Sequence, residues 1–377
     1  MTCYDLLPVH CRVDSKKILL IFAGVIGDSV LFCDALEGYK ELYPAKEGYE
    51  ITIYTTIPAA IILKRYTTNF DIVAIDFRRL NTDFRYHLEV MRKLQSVSYH
   101  VAIDPFSAFS MESTSLLLKA VAKDKIQARE EGFCGANLLE RYVLSRIKNV
   151  VFVSDDFMEL QKNAYFLRKI GLDSFKAHIP KLLMENTEIQ EKNECVFALG
   201  ASTPCKRWEA KRFAEVANYL IKKYNFKVVL CGGSGEERLA DQFFQYVDNK
   251  EAVINMIGKT SLPELVDIIA NARLLIGNDS SSVHIAAAVR TPSVCIVGGW
   301  DYGRMYPYKV DELFDSDVLP VHVDKTMQCF NCAKHVIGFG NTVCQEKQKM
   351  SQMYPCIENI CVQDVINVVK KILIDYE

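Results

Sequence analysis

The sequence predicts a two-domain α/β protein in which each domain is a doubly wound parallel sheet. Three observations carry this expectation. Short apolar, β-branched runs alternate with helical stretches, the alternation restarts near residue 194, and glycine-containing turns follow strands in both halves. A length of 377 residues exceeds one ordinary domain, and 50% apolar against 24% charged residues is enough to bury two cores.

In the first half, KILLIFAG is a buried strand and Ser29 to Tyr43 has a helical apolar period. YEITIYTT is a second strand, IPAAIILKRY a helix, DIVAIDF a third strand and SYHVAIDPF a later one. Strands buried on both faces read as such continuous apolar runs. The second half repeats the plan with ECVFALGAS, a helix from Ala210 to Tyr224, FKVVLCGG, a helix from Glu236 to Val247, ARLLIGNDSS, a helix through HIAAAV, and PSVCIVGG. Lys176 to Asn193 is polar, contains Pro180 and lacks a period, so the connection is expected there. The expected division is 1–180, then 190–357 with a cysteine-rich segment at 327–357, then a closing helix within 358–377. Facing sheets of this kind leave a cleft at the carboxyl ends of their strands, where ligands bind.

Composition excludes several functions. Lys plus Arg is 45 against 47 Asp plus Glu, a net charge of -2, and no block of like charges appears, which argues against nucleic acid as a partner. No apolar run approaches the ~18 residues of a membrane span. Ile18 to Gly27 imitates a secretory signal after Lys16 and Lys17, but Asp5, Asp14 and Asp28 flank it and no small-residue cleavage site follows, so it reads as the first strand.

Four turns are placed to carry chemistry: Gly24 to Asp28, Gly200 to Thr203, Gly232 to Glu236, and Gly277 to Ser282. Each precedes a helix, whose free N–H groups and partial positive charge suit an anion. Taken singly, each is what any α/β protein needs at such a turn. Two known fingerprints fail. GVIGDS lacks the third glycine of a dinucleotide site, and Gly258-Lys259-Thr260 has Val253 where a P-loop needs its first glycine.

Three segments carry a family resemblance. ILLIFAGVIGDSVLFCDALEGYKELYP, GASTPCKRWEAKRFAEV and GKTSLPELVDIIANARLLIGNDSSSVHIAAAVRTPSVCIVGG resemble, in order, the signature blocks of glycosyltransferase family 9, the ADP-heptose:lipopolysaccharide heptosyltransferases. The resemblance implies a GT-B fold, a nucleotide-diphospho-sugar donor (ADP-heptose) held by the second domain, a glycolipid or glycan acceptor held by the first, and inverting transfer. It also implies a cytoplasmic location, with peripheral contact at the inner face of the membrane. Inversion in one step needs a base on the acceptor hydroxyl and positive charge at the departing diphosphate. Asp28 corresponds to the family's base and Lys206 to the lysine facing the donor phosphates. An Asp at that point is also a common helix cap. Ser202, Thr203, Glu236, Thr260, Asp279, Ser280, Ser281 and His284 fall on its donor-binding positions. Ser281 departs from the family's Gly, and GGWDYGRMYPY replaces its Gly-Pro turn. A sugar-nucleotide epimerase of the same plan and a silent nucleotide-sugar-binding protein stay open.

No catalytic metal is expected, since Asp315-Ser316-Asp317, the one DxD-like triplet, lies in a polar loop and reads as surface. Lys64, Arg65, Arg78, Arg79 and Arg85 read as scattered surface cations that could meet an acidic glycolipid. Of thirteen cysteines, Cys33, Cys195, Cys231 and Cys295 sit in apolar runs and serve as small hydrophobes. Cys329, Cys332, Cys344 and Cys356 have a spacing that suits structural zinc or iron, with His335 or Cys361 as substitutes; reduced thiols and disulfides are the alternatives.

Overall fold

The computed structural model describes residues 15–67, 69–131, 133, 135, 137–183, 193–332, 344 and 354–375. These divide into two compact units, one within Met1–Asp155 and Gln161–Ala177, the other within Asp156–Leu160 and His178–Glu377. The short excursion at 156–160 has no counterpart in the sequence reading.

Unit 1 holds a six-stranded parallel sheet of order β3-β2-β1-β4-β5-β6. Its strands are β1 (Lys17–Phe22), β2 (Glu50–Thr56), β3 (Asp71–Ile75), β4 (Ser98–Asp104), β5 (Val121–Glu130) and β6 (Asn149–Val153). Sheet order reverses between β1 and β4, so the loops after these two strands diverge and leave room for a ligand. Helix α1 (Ile26–Leu42) follows β1, α2 (Ile57–Tyr66) follows β2 with Thr56 capping it through Ala59 N–H, and α3 (Phe77–Thr82), α4 (Phe84–Gln95), α5 (Met111–Lys119), α6 (Leu138–Ser145) and α7 (Glu159–Lys169) come after them in chain order. The first turn is tighter than expected, because α1 already begins at Ile26 and takes Asp28 into its first turn. Phe22 at the end of β1 stacks on Phe32 of α1, ring centroids 4.1 Å apart, and fixes the helix against the strand. Arg65 corrects the surface reading: it is buried on α2, 6% exposed. Lys64, Arg78, Arg79 and Arg85 are exposed.

Unit 2 repeats the order with β7 (Glu194–Ala198), β8 (Lys227–Cys231), β9 (Val253–Asn255), β10 (Leu274–Asn278), β11 (Ser293–Ile296) and β12 (Val321–Val323), arranged β12-β11-β10-β7-β8-β9 and all parallel. Its reversal lies between β7 and β10. Helix α8 (Ala210–Tyr224) follows β7, α9 (Glu237–Phe244) follows β8, α10 (Leu262–Asn271) follows β9 and α11 (Ser281–Ala288) follows β10. The α9 helix is shorter than the expected Glu236 to Val247. Trp208, Phe213, Phe197 and Phe243 form an aromatic core that the closing helix, Val362–Asp375, completes with Val365, Ile366, Val369, Ile372 and Leu373. Asp317 is a second correction, since its carboxylate is buried against Arg290 at 2.6 Å while Asp315 and Ser316 are exposed. Among the described residues, no helix is long and apolar enough to cross a membrane.

Candidate functional site

Asp28 occupies the third position of α1, directly beyond the carboxyl end of β1. It is 4% exposed, and its Oδ2 accepts the Val25 N–H at 3.1 Å, so the capping role and the position at the sheet's reversal coincide in one side chain. Gly24 is what allows the chain to reach this point. A Cβ there would lie 2.5 Å from the Phe22 ring and 2.9 Å from the Asp28 Cβ. Thr55 Oγ1 donates to Phe22 O at 2.7 Å and Thr56 Oγ1 to Gly24 O at 3.1 Å, which pins the turn to β2.

Across the reversal, β4 ends in Asp104, a residue the sequence reading passed over. It is 1% exposed and accepts from Ser113 Oγ at 2.8 Å and Gln127 Nε2 at 3.3 Å. Burial pushes its carboxyl up to about 7, against the pull of those hydrogen bonds.

In unit 2, the loops after β7 and β10 meet at the reversal. Asn278, the last residue of β10, donates to Leu199 O at 2.7 Å and accepts the Trp208 N–H at 2.9 Å, tying the two loops together. Trp208 is anchored in turn by its indole N–H on Ile360 O at 3.0 Å. These ties set Lys206 beneath the loop, with its side chain 8% exposed. Its ammonium is 3.1 Å from Asp279 and in direct contact with Asp301. Asp301 also faces Arg304 at 3.6 Å, and Arg304 reaches Glu159 at 3.2 Å. Lys206, Arg304, Asp279, Asp301 and Glu159 thus form one buried or half-buried charge cluster.

Burial works against the Lys206 charge, but Asp279 and Asp301 outweigh it and hold the ammonium above its ordinary range. The two carboxylates diverge. Burial and the neighbouring Asp301 push Asp279 up to about 6 despite Lys206, whereas Lys206 and Arg304 overcome burial at Asp301 and hold it low. Asp301, Arg304 and Glu159 were missed by sequence reasoning. The first two lie in the GGWDYGR turn that departs from the family pattern, a signal that could have found them; Glu159 has no motif and comes from the excursion at 156–160.

Ser280 is the N-cap of α11, and its buried Oγ has no hydrogen-bond partner among the described residues. An unpaired hydroxyl at a helix start, beside Ser281 and Asp279, is a ready seat for an anionic oxygen. His284, one turn further, is 2% exposed and stacks on Tyr306 and Tyr308, its Nδ1 lying 2.6 Å from the Tyr308 hydroxyl. Burial, with Lys206 and Arg304 nearby, pushes it down to about 3, so its ring is neutral at pH 7.

Glu236 caps the β8 side of the site, its Oε2 accepting Gly233 N–H at 3.0 Å. Its carboxylate lies where side chains on Gly200 and Gly232 would otherwise point, which explains both glycines. Gly258 N–H bonds to Gly232 O at 3.1 Å, bringing Thr260 to the same edge. Ser202 is exposed and Thr203 half-buried in the loop that leads to Lys206. The structure therefore gathers Ser202, Thr203, Lys206, Asp279, Ser280, Ser281 and His284 around the β7–β10 reversal, with Glu236 and Thr260 at its β8 edge.

Cys356 packs beside Gly298, and Cys332 donates its N–H to Gly299 O at 3.0 Å. Burial raises the Cys332 and Cys356 thiols, and Cys329, Cys344 and Cys205 are close enough to add to the effect. Among the described residues, no three His, Cys, Asp or Glu side chains stand at metal-holding spacing. His335 lies outside the described residues.

Two six-stranded parallel sheets of identical strand order, covered by helices, are the architecture of GT-B glycosyltransferases. Residues 88–330, more than half of the chain, match the profile of glycosyltransferase family 9 (heptosyltransferase). The chain belongs to that family and is an enzyme of glycosyl transfer. It is 22% identical to lipooligosaccharide heptosyltransferase 2 of Campylobacter jejuni (serotype O:6) over 91% of this chain and 99% of that protein. It is 37% identical to lipooligosaccharide heptosyltransferase 2 of Haemophilus influenzae, over 43% of this chain and 46% of that protein. Among solved structures it resembles the ADP-heptose lipopolysaccharide heptosyltransferase II of Escherichia coli, with a TM-score of 0.67, 17% identity, and coverage of 96% and 99% of the two chains. Asp28 lies before the span matched by the family profile.

Proposed function

We propose that the protein transfers a heptose from ADP-heptose, with inversion, to a lipopolysaccharide-core or other surface glycan or protein acceptor. The observation that carries this is the buried Lys206 at the β7–β10 reversal, next to the Ser280 hydroxyl, which has no partner among the described residues, and the start of α11. In this reading, the diphosphate rests on Lys206, Ser280, Ser281 and the loop at Ser202 and Thr203. Lys206 offsets the charge that grows on the leaving ADP as the glycosidic bond breaks. Glu236 and Thr260 hold the nucleoside and sugar hydroxyls, Asp279 orients Lys206, and neutral His284 positions the wall of tyrosines rather than contributing charge. Asp28 takes the proton from the acceptor hydroxyl as that oxygen attacks the anomeric carbon from the opposite face. No step passes through a metal. The cysteines at 329, 332, 344 and 356 are read as a structural zinc or iron site apart from the reaction, and elemental analysis of protein purified without added ions tests that assignment. With such an acceptor, the proposal includes a cytoplasmic enzyme with peripheral contact at the inner membrane.

A thermal-shift panel tests the donor. ADP and ADP-sugars should raise the melting temperature while UDP and GDP compounds do not, because a ligand of the native state alone stabilises it. A chain that responds to no nucleotide is a silent relative, and this reading fails. The base is tested by Asp28→Asn, which should lower kcat by roughly 100- to 10,000-fold and leave the ADP-induced shift in place. Loss of both together would mark Asp28 as a structural cap.

A further inference from the structure

The cations around Lys206 are already occupied by carboxylates. Two cations, Lys206 and Arg304, face three carboxylates, Asp279, Asp301 and Glu159. A diphosphate is itself an anion, and its oxygens reach these cations only if a carboxylate already on them gives way. Asp301 is the one placed to do so. It is 7% exposed and reaches both cations, with Oδ2 on the Lys206 ammonium and Oδ1 3.6 Å from the Arg304 guanidinium. A phosphoryl oxygen bridging the same two cations would occupy that position. Asp279, by contrast, follows directly from β10, with its N–H fixed to Ile296 O at 3.1 Å. Asp301 sits in a turn closed by its own carbonyl, which accepts from Arg304 and Met305 N–H at 3.1 and 2.9 Å, so its side chain can rotate away without unravelling the turn.

We propose that Asp301 is a resident stand-in for the donor phosphate: it occupies Lys206 and Arg304 when the site is empty and is displaced when a nucleoside diphosphate binds. This inference rests on the donor reading above. Asp301 then acts as a positioning and specificity residue. It keeps Lys206 ordered and charged, and it sets a threshold that only a ligand with enough negative charge passes. Nucleosides and sugars without phosphate gain nothing from the displacement.

The test is a charge ladder of adenosine, AMP and ADP, titrated calorimetrically into the wild type and into Asp301→Asn. The amide keeps the shape and removes the competing charge. ADP should bind the variant roughly tenfold more tightly or better, AMP should gain less, and adenosine should be unchanged. Asp301→Glu, which keeps the charge, should retain wild-type ADP affinity. A merely structural role would shift all three ligands together. Unchanged or weaker ADP binding by a folded Asp301→Asn that still binds adenosine normally overturns the proposal, and Asp301→Ser repeats the measurement if the amide does not fold. A wild type that binds no ADP overturns the donor reading as well, so the two failures are told apart by the wild-type titration.

Discussion

Removing the Lys206 ammonium would leave Asp279 and Asp301 buried beside each other without their shared cation. Stranding one member of a buried ionic set costs about 3–5 kcal/mol. Lys206→Met should therefore lower the urea midpoint as well as activity, and adding Asp301→Asn should recover part of the stability but none of the activity. No recovery in the double variant would mean the three groups are not energetically linked. Asp104 permits a prediction of opposite character. Its carboxyl is raised from 3.8 to about 7 by burial, so between these values the folded state holds a proton that the unfolded chain has released. Its contribution to stability is complete at low pH and is lost as pH rises through 7. Asp104→Asn should become more favourable relative to wild type from pH 4 to pH 8, by up to about 4 kcal/mol, in urea titrations at each pH. A difference that does not change with pH would show that the carboxyl titrates normally.

Elements were legible in the sequence where burial was uniform. β1, β7 and β10 are continuous apolar runs because they are central in their sheets, and the turns after them were found with them. β5 was hidden because Lys123, Asp124, Lys125, Gln127, Arg129 and Glu130 interrupt its pattern, and β9 and β12 are three-residue edge strands with too little sequence to show a period. The residues proposed for the donor follow strands that were legible, while Glu159 and the pairing of Asp301 with Lys206 depend on contacts between remote segments. The closing helix at Val362–Asp375 shows the reverse case, since its apolar spacing was evident and the partner it packs on was not. It closes the core around Trp208, whose indole N–H on Ile360 O leads into it, and Arg212 donates to Glu358 O and Ile360 O at 2.7 and 2.6 Å. Leu373 is 4% exposed there, and Leu373→Ala should cost about 2–5 kcal/mol in chemical denaturation. A loss well below this range would show the helix to be an appendage rather than part of the unit 2 core.

At the scale of the whole molecule, the proposed transfer divides between two sheets of the same order whose reversals carry different sets of groups. Unit 1 offers carboxylates at its reversal, Asp28 and Asp104, which suit proton removal from a hydroxyl. Unit 2 offers, beside Asp279 and Asp301, a lysine, a serine hydroxyl without a partner among the described residues and a helix start, which suit an anionic leaving group once Asp301 is displaced. The net charge of -2 is too small to guide an anionic donor by the field of the protein as a whole, so affinity has to come from this local cluster. Hydrogen exchange with and without ADP should therefore show its strongest protection in five segments of unit 2: 200–208, 232–237, 257–261, 278–285 and 299–306. The cluster predicts further that 299–306, which carries Asp301 and Arg304, changes together with the Lys206 loop, because displacement of one carboxylate rearranges both. Protection confined to unit 1 would reverse the assignment of donor and acceptor. Protection of the Lys206 loop without any change at 299–306 would leave the donor in unit 2 but remove Asp301 from its seat.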